Sequence, residues 1–346
     1  MRIYTRFFIS LLSLAGPPAA AHHNSDPWSL NLYFENDLFA ESDQNYTNGI
    51  RASWVSPDLS SYETDPRIPK WLRQVNDKLH FFHDLRDRKK LSRNLVFSAG
   101  QLIYTPADIE ARELVKDERP YAGFLYTGIE YHTRSRDQLD TVGVTFGIVG
   151  PGAYAREAQD FIHDLRGFDK FQGWDNQLRN EPALQISYEH KHRLFDKPLG
   201  RGLAHDLIGH SGINLGNVAA YLNVGVEYRI GWRLPDDFGT SAVRPGGDNS
   251  APGRIDPRLS SSGFSGLHGF ISLDTRIVGR DIFLDGNTFK NSHSVDKEVL
   301  VADISTGVSF TAGHWKVSYA RVFRTREFKK QPHSHNYGSL SVSYSW

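Results

Sequence analysis

The chain of 346 residues contains no cysteine. No disulfide framework can hold it, and no thiol can act as nucleophile or metal ligand. It has no Gly-x-Ser-x-Gly segment, which excludes the serine nucleophile elbow built on that turn. No apolar run is long enough to cross a bilayer as a helix. The 40 basic and 40 acidic residues leave no net charge to recruit nucleic acid or another strongly charged partner. There is no low-complexity tract and no repeat beyond strand periodicity, so one domain is the economical reading.

What is present points outward from the cell. Arg2 and Arg6, an apolar run from Phe7 to Leu14, and Ala19-Ala20-Ala21 predict a cleaved signal peptide over residues 1–21, leaving a domain over 22–346. An exported, cysteine-free chain that is polar on average yet rich in Phe and Tyr has the composition of an outer-membrane barrel of a Gram-negative cell. On composition alone a periplasmic β-sandwich or an α/β enzyme is the alternative.

Period-two alternation decides between them. Leu30, Leu32 and Phe34 alternate with Asn31, Tyr33 and Glu35. At the C-terminus Gly338, Leu340, Val342, Tyr344 and Trp346 form one face, and Ser339, Ser341, Ser343 and Ser345 the other. About twelve such segments occur, each near the length of a tilted membrane strand, beginning near residues 28, 47, 93, 122, 140, 182, 205, 218, 264, 298, 314 and 336. The predicted fold is all-β: a twelve-stranded antiparallel transmembrane barrel with a short helix in an outer-rim loop. If the first strand runs outward, the connections at 37–46, 105–121, 151–181, 217, 276–297 and 327–335 share the outer rim. The connections 57–92 and 232–263 then face the periplasm and are long for periplasmic turns. The Pro-, Gly- and Ser-rich piece around 244–266 reads as a flexible loop.

One stretch breaks the strand period. Between Tyr154 and Arg166, residues Ala158, Phe161, Ile162 and Leu165 form an apolar stripe at helical spacing, with Gln159 and His163 four apart beside it. Gly167 stands where a helix stops. If Gly167 is left-handed, Phe168 bonds back to the carbonyl of His163 and Asp169 returns toward the last turn. A carboxylate there could orient the imidazole and stabilise its protonated form. On spacing alone a solvated helix-end histidine is the simpler reading. Asn36, Asp37 and Thr47, at the facing ends of the first two strands, are oxygen donors suited to a hard cation such as calcium, or are ordinary turn residues.

Together these pieces resemble the outer-membrane lipid A 3′-O-deacylases over essentially the whole mature chain. The residues that carry the resemblance are Asn36-Asp37, Tyr46-Thr47 with Gly49, Tyr104-Thr105-Pro106, Arg119, Gly147 to Pro151, Gln159, His163, Gly167, an acid six residues after the histidine, Trp174 and Gln177. The family fold is a twelve-stranded barrel, and its members remove the 3′-linked acyloxyacyl group of lipid A in a calcium-dependent hydrolysis. The resemblance implies His163 as general base, Asp169 as its orienting acid, and Asn36 and Thr47 in the active site. It implies Asp37 as the foremost calcium ligand, with Asn36 and Thr47 beside it. The chain departs from the family pattern at the acid, where aspartate stands for glutamate and reaches one methylene less far. A Lys-Arg pair of the family leaves only an arginine around Ala111 and Arg112.

Arg112, Lys116 and Arg119, in the second outer connection, are candidates for contact with lipid A phosphates or for a solvated loop face. The expected partners are lipopolysaccharide and the bilayer, with the chain a monomer. Two rival functions share the fold: an outer-membrane phospholipase, and a passive pore or structural barrel plugged by the helix.

Overall fold

The computed structural model describes residues 27–36, 45–79, 91–240, 251–253, 256–259 and 263–346. The signal-peptide reading therefore lies outside the described residues, as does Asp37. The strands are β1 (Ser29–Asn36), β2 (Asn45–Val55), β3 (Ser92–Thr105), β4 (Ala122–Arg134), β5 (Gln138–Val149) and β6 (Glu181–Gly200). They continue with β7 (Leu203–Gly216), β8 (Ala219–Trp232), β9 (Phe264–Asp281), β10 (Leu300–Ala312), β11 (Trp315–Arg324) and β12 (His335–Ser345). Each pairs antiparallel with its neighbours in sequence, and β1 closes on β12 from Ser29↔Ser345 to Asn36↔Gly338.

Alternation builds this wall because successive side chains point to opposite faces. Ser339, Ser341, Ser343 and Ser345 are buried inside, where Ser345 hydrogen-bonds Ser29 at 2.8 Å. Arg51 and Glu130 also point inward and pair at 2.6 Å. Leu32, Ile50, Leu184, Ile186, Val224 and Ile271 are exposed on the outside. Closure leaves no edge strand, so the backbone groups of the wall can pair between strands without water.

Trp28 and Trp346 lie at one rim, here called lower, as do the described parts of the long connections after β2 and β8. The opposite, upper rim carries 106–121, 150–180, 217–218, 282–299 and 325–334, as the strand parity predicts; the predicted connection 37–46 lies largely outside the described residues. The lower connections are long because each builds a lobe. Residues 57–79, including α1 (Lys70–Asn76), pack on the outer wall: Leu59, Tyr62, Ile68 and Leu72 cover Leu95, Phe97, Ile129 and Tyr131. The second lobe folds into the lower mouth. There Asp237 accepts Arg229 at 2.6 Å, Lys316 at 2.5 Å and Arg258 at 3.4 Å. Burial raises the Asp237 carboxyl, but Lys316, Arg229 and Arg258 together hold it well below the usual carboxylate range.

The stretch read as a flexible loop is thus corrected in its described part: Asp256 and Arg258 are buried and paired at 2.8 Å. A charged pair inside the barrel specifies position where a Gly- and Pro-rich composition suggests freedom. At the upper mouth α3 (Ile282–Asp285) drops Ile282, Phe283 and Leu284 into the barrel. Phe283 stacks on Tyr104 with ring centres 4.1 Å apart. Between the two plugs lies a cavity of 220 Å³ lined by charged groups including Glu35, Arg51, Glu227 and Arg276.

Candidate active site

The upper-rim helix owes its position to glycines. At Gly150 the backbone takes φ 98°, and a Cβ there would come within 2.6 Å of the Arg179 carbonyl carbon, so the chain turns sharply off the end of β5. A one-turn 3₁₀ segment, Pro151–Ala153, leads into α2 (Ala155–Arg166). At Gly123 on β4 a Cβ would stand 2.4 Å from the Ala155 Cβ, so the missing side chain is what lets α2 lie directly on the outer wall.

The helix is amphipathic in the reverse of the usual sense for a globular protein. Its buried face is Ala155, Gln159 and His163, while Phe161 and Leu165 are 66% and 74% exposed. Polar groups turned to the wall and apolar groups turned outward fit a helix at a lipid interface, where the apolar side needs no protein cover. Beneath it Phe171, Trp174 and Tyr121 pack with Ile103 of β3. The Phe171 ring lies 5.7 Å from the imidazole, and the Phe168 ring 5.9 Å.

The helix ends as its sequence predicts. Gly167 has φ 69° and ψ 33°, and the Phe168 N–H donates to the His163 carbonyl at 2.9 Å. This reversal brings Asp169 to His163, but through a different group from the one expected. The main-chain carbonyl of Asp169 accepts from His163 Nδ1 at 2.5 Å, while the residue itself is exposed. The orienting-carboxylate reading is corrected accordingly. In a chain returning from a left-handed cap the carbonyl lies under the last turn, and the side chain is thrown outward. A carbonyl can only accept, so Nδ1 carries a proton, and in the neutral ring the lone pair is then on Nε2.

One turn before the histidine sits a group to which the sequence argument gave no role. Gln159 is buried, and among the described residues neither its amide oxygen nor its amide nitrogen has a hydrogen-bond partner. An unsatisfied buried polar atom costs about 1–3 kcal/mol, an arrangement kept where a ligand or water completes it. The i, i+4 spacing to His163 was the available signal.

Asn36 is buried at the upper end of β1, on the same outward parity as Leu32 and Phe34, and pairs across to Asn48. Thr47 is the extra residue of a β-bulge: Tyr46 pairs with Tyr104 and Asn48 with Ile103. Bulges recur beside active sites because they re-aim one residue. The Thr47 side chain, like Asp37, lies outside the described residues. Among the described residues no cluster of three His, Cys, Asp or Glu side chains could hold a metal ion.

The three basic candidates separate. Arg112 and Lys116 are exposed on the 106–121 connection. The Arg112 carbonyl accepts from Asn176 at 2.8 Å, and the Ile109 carbonyl from the Gln172 N–H at 3.0 Å, which ties this connection to the segment after α2. Arg119 is corrected: its side chain is fully buried, paired with Glu327 at 3.1 Å and lying over the Tyr104 ring at 5.0 Å. It closes the upper mouth and has no access to a phosphate.

Comparison with known proteins bears on the family and the fold. A family model described as outer membrane protein LpxR matches residues 7–346. No curated protein matches. Among solved structures, LpxR from Salmonella typhimurium is similar, with 18% identity and a TM-score of 0.71 over 91% of this chain and 99% of that one. The β domain of the Bordetella autotransporter Brka is 6% identical, with a TM-score of 0.42 over 93% and 100%.

Proposed function

The chain belongs to the family of the outer membrane protein LpxR, the lipid A 3′-O-deacylases, and we propose that it hydrolyses the 3′-linked acyloxyacyl ester of lipid A with His163 as general base and calcium as cofactor. The observation that carries this reading is the histidine's setting. It is buried on the wall side of a helix whose outward side is apolar, and its Nδ1 is held by the Asp169 carbonyl, the arrangement in which Nε2 of a neutral ring is the base.

His163 Nε2 takes a proton from water, whose oxygen attacks the ester carbonyl. Collapse of the tetrahedral adduct breaks the bond to the sugar oxygen. His163 returns the proton to that oxygen, releasing the acid and the 3′-hydroxyl. The Asp169 carbonyl holds the ring and stabilises its protonated form as a dipole, not as a full charge. The Gln159 amide faces the wall side beside the ring and is available to water or to the reacting ester. Asn36, Thr47 and Asp37 would offer side-chain oxygens, a donor type that suits a hard cation better than copper or a thiolate-bound metal. Bound calcium would supply polarisation of the ester carbonyl. Arg112 and Lys116, exposed beside the helical segment, are suited to the phosphates of the sugar headgroup.

Both mouths of the barrel are plugged, which argues against a passive pore. Mass spectrometry of lipid A incubated with the purified protein tests the reading. Loss of the 3′ acyloxyacyl mass is expected, and it should fail with His163→Ala or a calcium chelator. Fatty acid released from glycerophospholipid, with lipid A untouched, would mark a phospholipase instead.

A further inference from the structure

The lower lobe on the outer wall has an unpartnered side. Register rows run from β3 to β6: Leu95, Tyr131, Val142 and Tyr188 form one, and Phe97, Ile129, Val144 and Ile186 the next. On β6 the wall is bare, with Ile186 54% and Tyr188 44% exposed. Three strands away, in the same rows, Leu95 is 3% exposed because the 57–79 lobe lies over it. The lobe therefore occupies the place that lipid takes on the rest of the wall. It is firmly held: Tyr131 donates to Asn76 at 2.6 Å, Asn76 to the Tyr62 carbonyl at 2.8 Å, and Tyr62 to the His132 carbonyl at 2.6 Å.

Helix α1 turns Leu72 and Asn76 to the wall. One flank then carries Trp71 and Val75, four apart, and Leu79 follows three residues past the helix; all three are exposed, Trp71 by 56%. Arg73 and Asp77 lie on the opposite flank. From Lys70 to Leu79 the segment holds three cations, Lys70, Arg73 and Lys78, against the single acid Asp77.

We propose that this flank is a membrane-contact site for the lower, periplasmic leaflet, with Trp71, Val75 and Leu79 among the acyl chains and Lys70 and Lys78 on the headgroups of anionic phospholipid. Continuity with the lipid-facing wall gives the apolar part its occupant. Trp is the residue of the water–membrane boundary, and juxtamembrane lysines are drawn to anionic headgroups. The inference rests on the membrane placement of the barrel and not on its chemistry, so deacylation is not the readout.

The absence of cysteine makes the test direct. Full-length protein carrying Trp71→Cys, Val75→Cys or Asp77→Cys is spin-labelled and reconstituted in vesicles of phosphatidylethanolamine and phosphatidylglycerol. Labels at 71 and 75 should be relaxed more by oxygen than by an aqueous nickel chelate, and the label at 77 the reverse. Equal nickel access at all three positions would overturn the site. Replacing phosphatidylglycerol with phosphatidylcholine, or combining Lys70→Gln with Lys78→Gln, should move the label at 71 toward water; no movement would overturn the anionic part. If the cysteine variants do not fold, brominated lipids decide. Quenching should be stronger for the native chain than for Trp71→Phe, and equal quenching would refute the contact.

Discussion

His163 gains its character from two atoms that substitution can separate. Its Nδ1 is held by a main-chain carbonyl, so the proposed base should tolerate loss of the Asp169 charge but not loss of the turn that presents the carbonyl. His163→Gln should lower kcat about 10²–10⁴-fold, and Asp169→Asn should stay near the native rate. Gly167→Val meets no neighbour but forces a left-handed residue, a strain of about 1–2 kcal/mol that, if relieved by shifting the carbonyl, slows turnover about tenfold. Rates on purified lipid A, with heat-modifiable gel mobility as the fold control, distinguish the three. An Asp169→Asn defect as deep as that of His163→Gln would restore the carboxylate to the mechanism. The six-residue spacing showed where the chain returns, and the predicted Phe168-to-His163 bond is present. It could not show which atom of Asp169 arrives, because that depends on the rotation of the chain leaving the cap.

Arg119 teaches the same limit. Its loop position suggested an exposed cation, but its partner Glu327 lies 208 residues away, beyond any local pattern. Burial raises the Glu327 carboxyl, yet Arg119 and Arg324 more than offset this and bring it from 4.5 down to about 2. A depressed carboxylate contributes its stability above the unfolded value and loses it as pH falls through the folded one. The contribution to barrel melting should thus be full above about pH 4.5 and fade toward pH 2. Glu327→Gln leaves Arg119 buried without its charge, a loss of about 3–5 kcal/mol that should lower the melting temperature at pH 7 and flatten this acid limb. An unchanged melting profile would dismiss the pair.

At the level of elements, the site depends on α2 lying against β3 and β4. Gly123→Val would put a branched side chain where a single Cβ already comes within 2.4 Å of Ala155. The helix must lift while the wall stays intact. Activity should fall at least as far as in Gly167→Val, with melting temperature and gel mobility unchanged. Native activity in Gly123→Val would mean that the helix does not carry the reacting group. The strands themselves were legible because the wall is one residue thick and its two faces meet opposite environments. The reversed amphipathicity of α2 follows the same rule, since Phe161 and Leu165 need lipid and not core. The lower lobes were not legible: Leu59, Tyr62, Ile68 and Leu72 show no period because they fit a wall already built.

The whole molecule is a closed barrel, stoppered above by apolar side chains and below by a charge cluster centred on Asp237. Asp237→Ala would leave Arg229, Arg258 and Lys316 facing one another, at a cost of about 3–5 kcal/mol. Planar-bilayer recordings should show no steady conductance for the native protein and flickering openings for Asp237→Ala. Steady native conductance would revive the pore. In the proposed reading such a closed wall is a rigid mount that presents one helix to the outer leaflet and its lipid A. The mass spectrum of lipid A after incubation with the purified protein and calcium probes that role most directly. Loss of the 3′ acyloxyacyl group is expected with native protein, and none with His163→Ala or in chelator. Intact lipid A with native protein, or undiminished cleavage by His163→Ala, would contradict it.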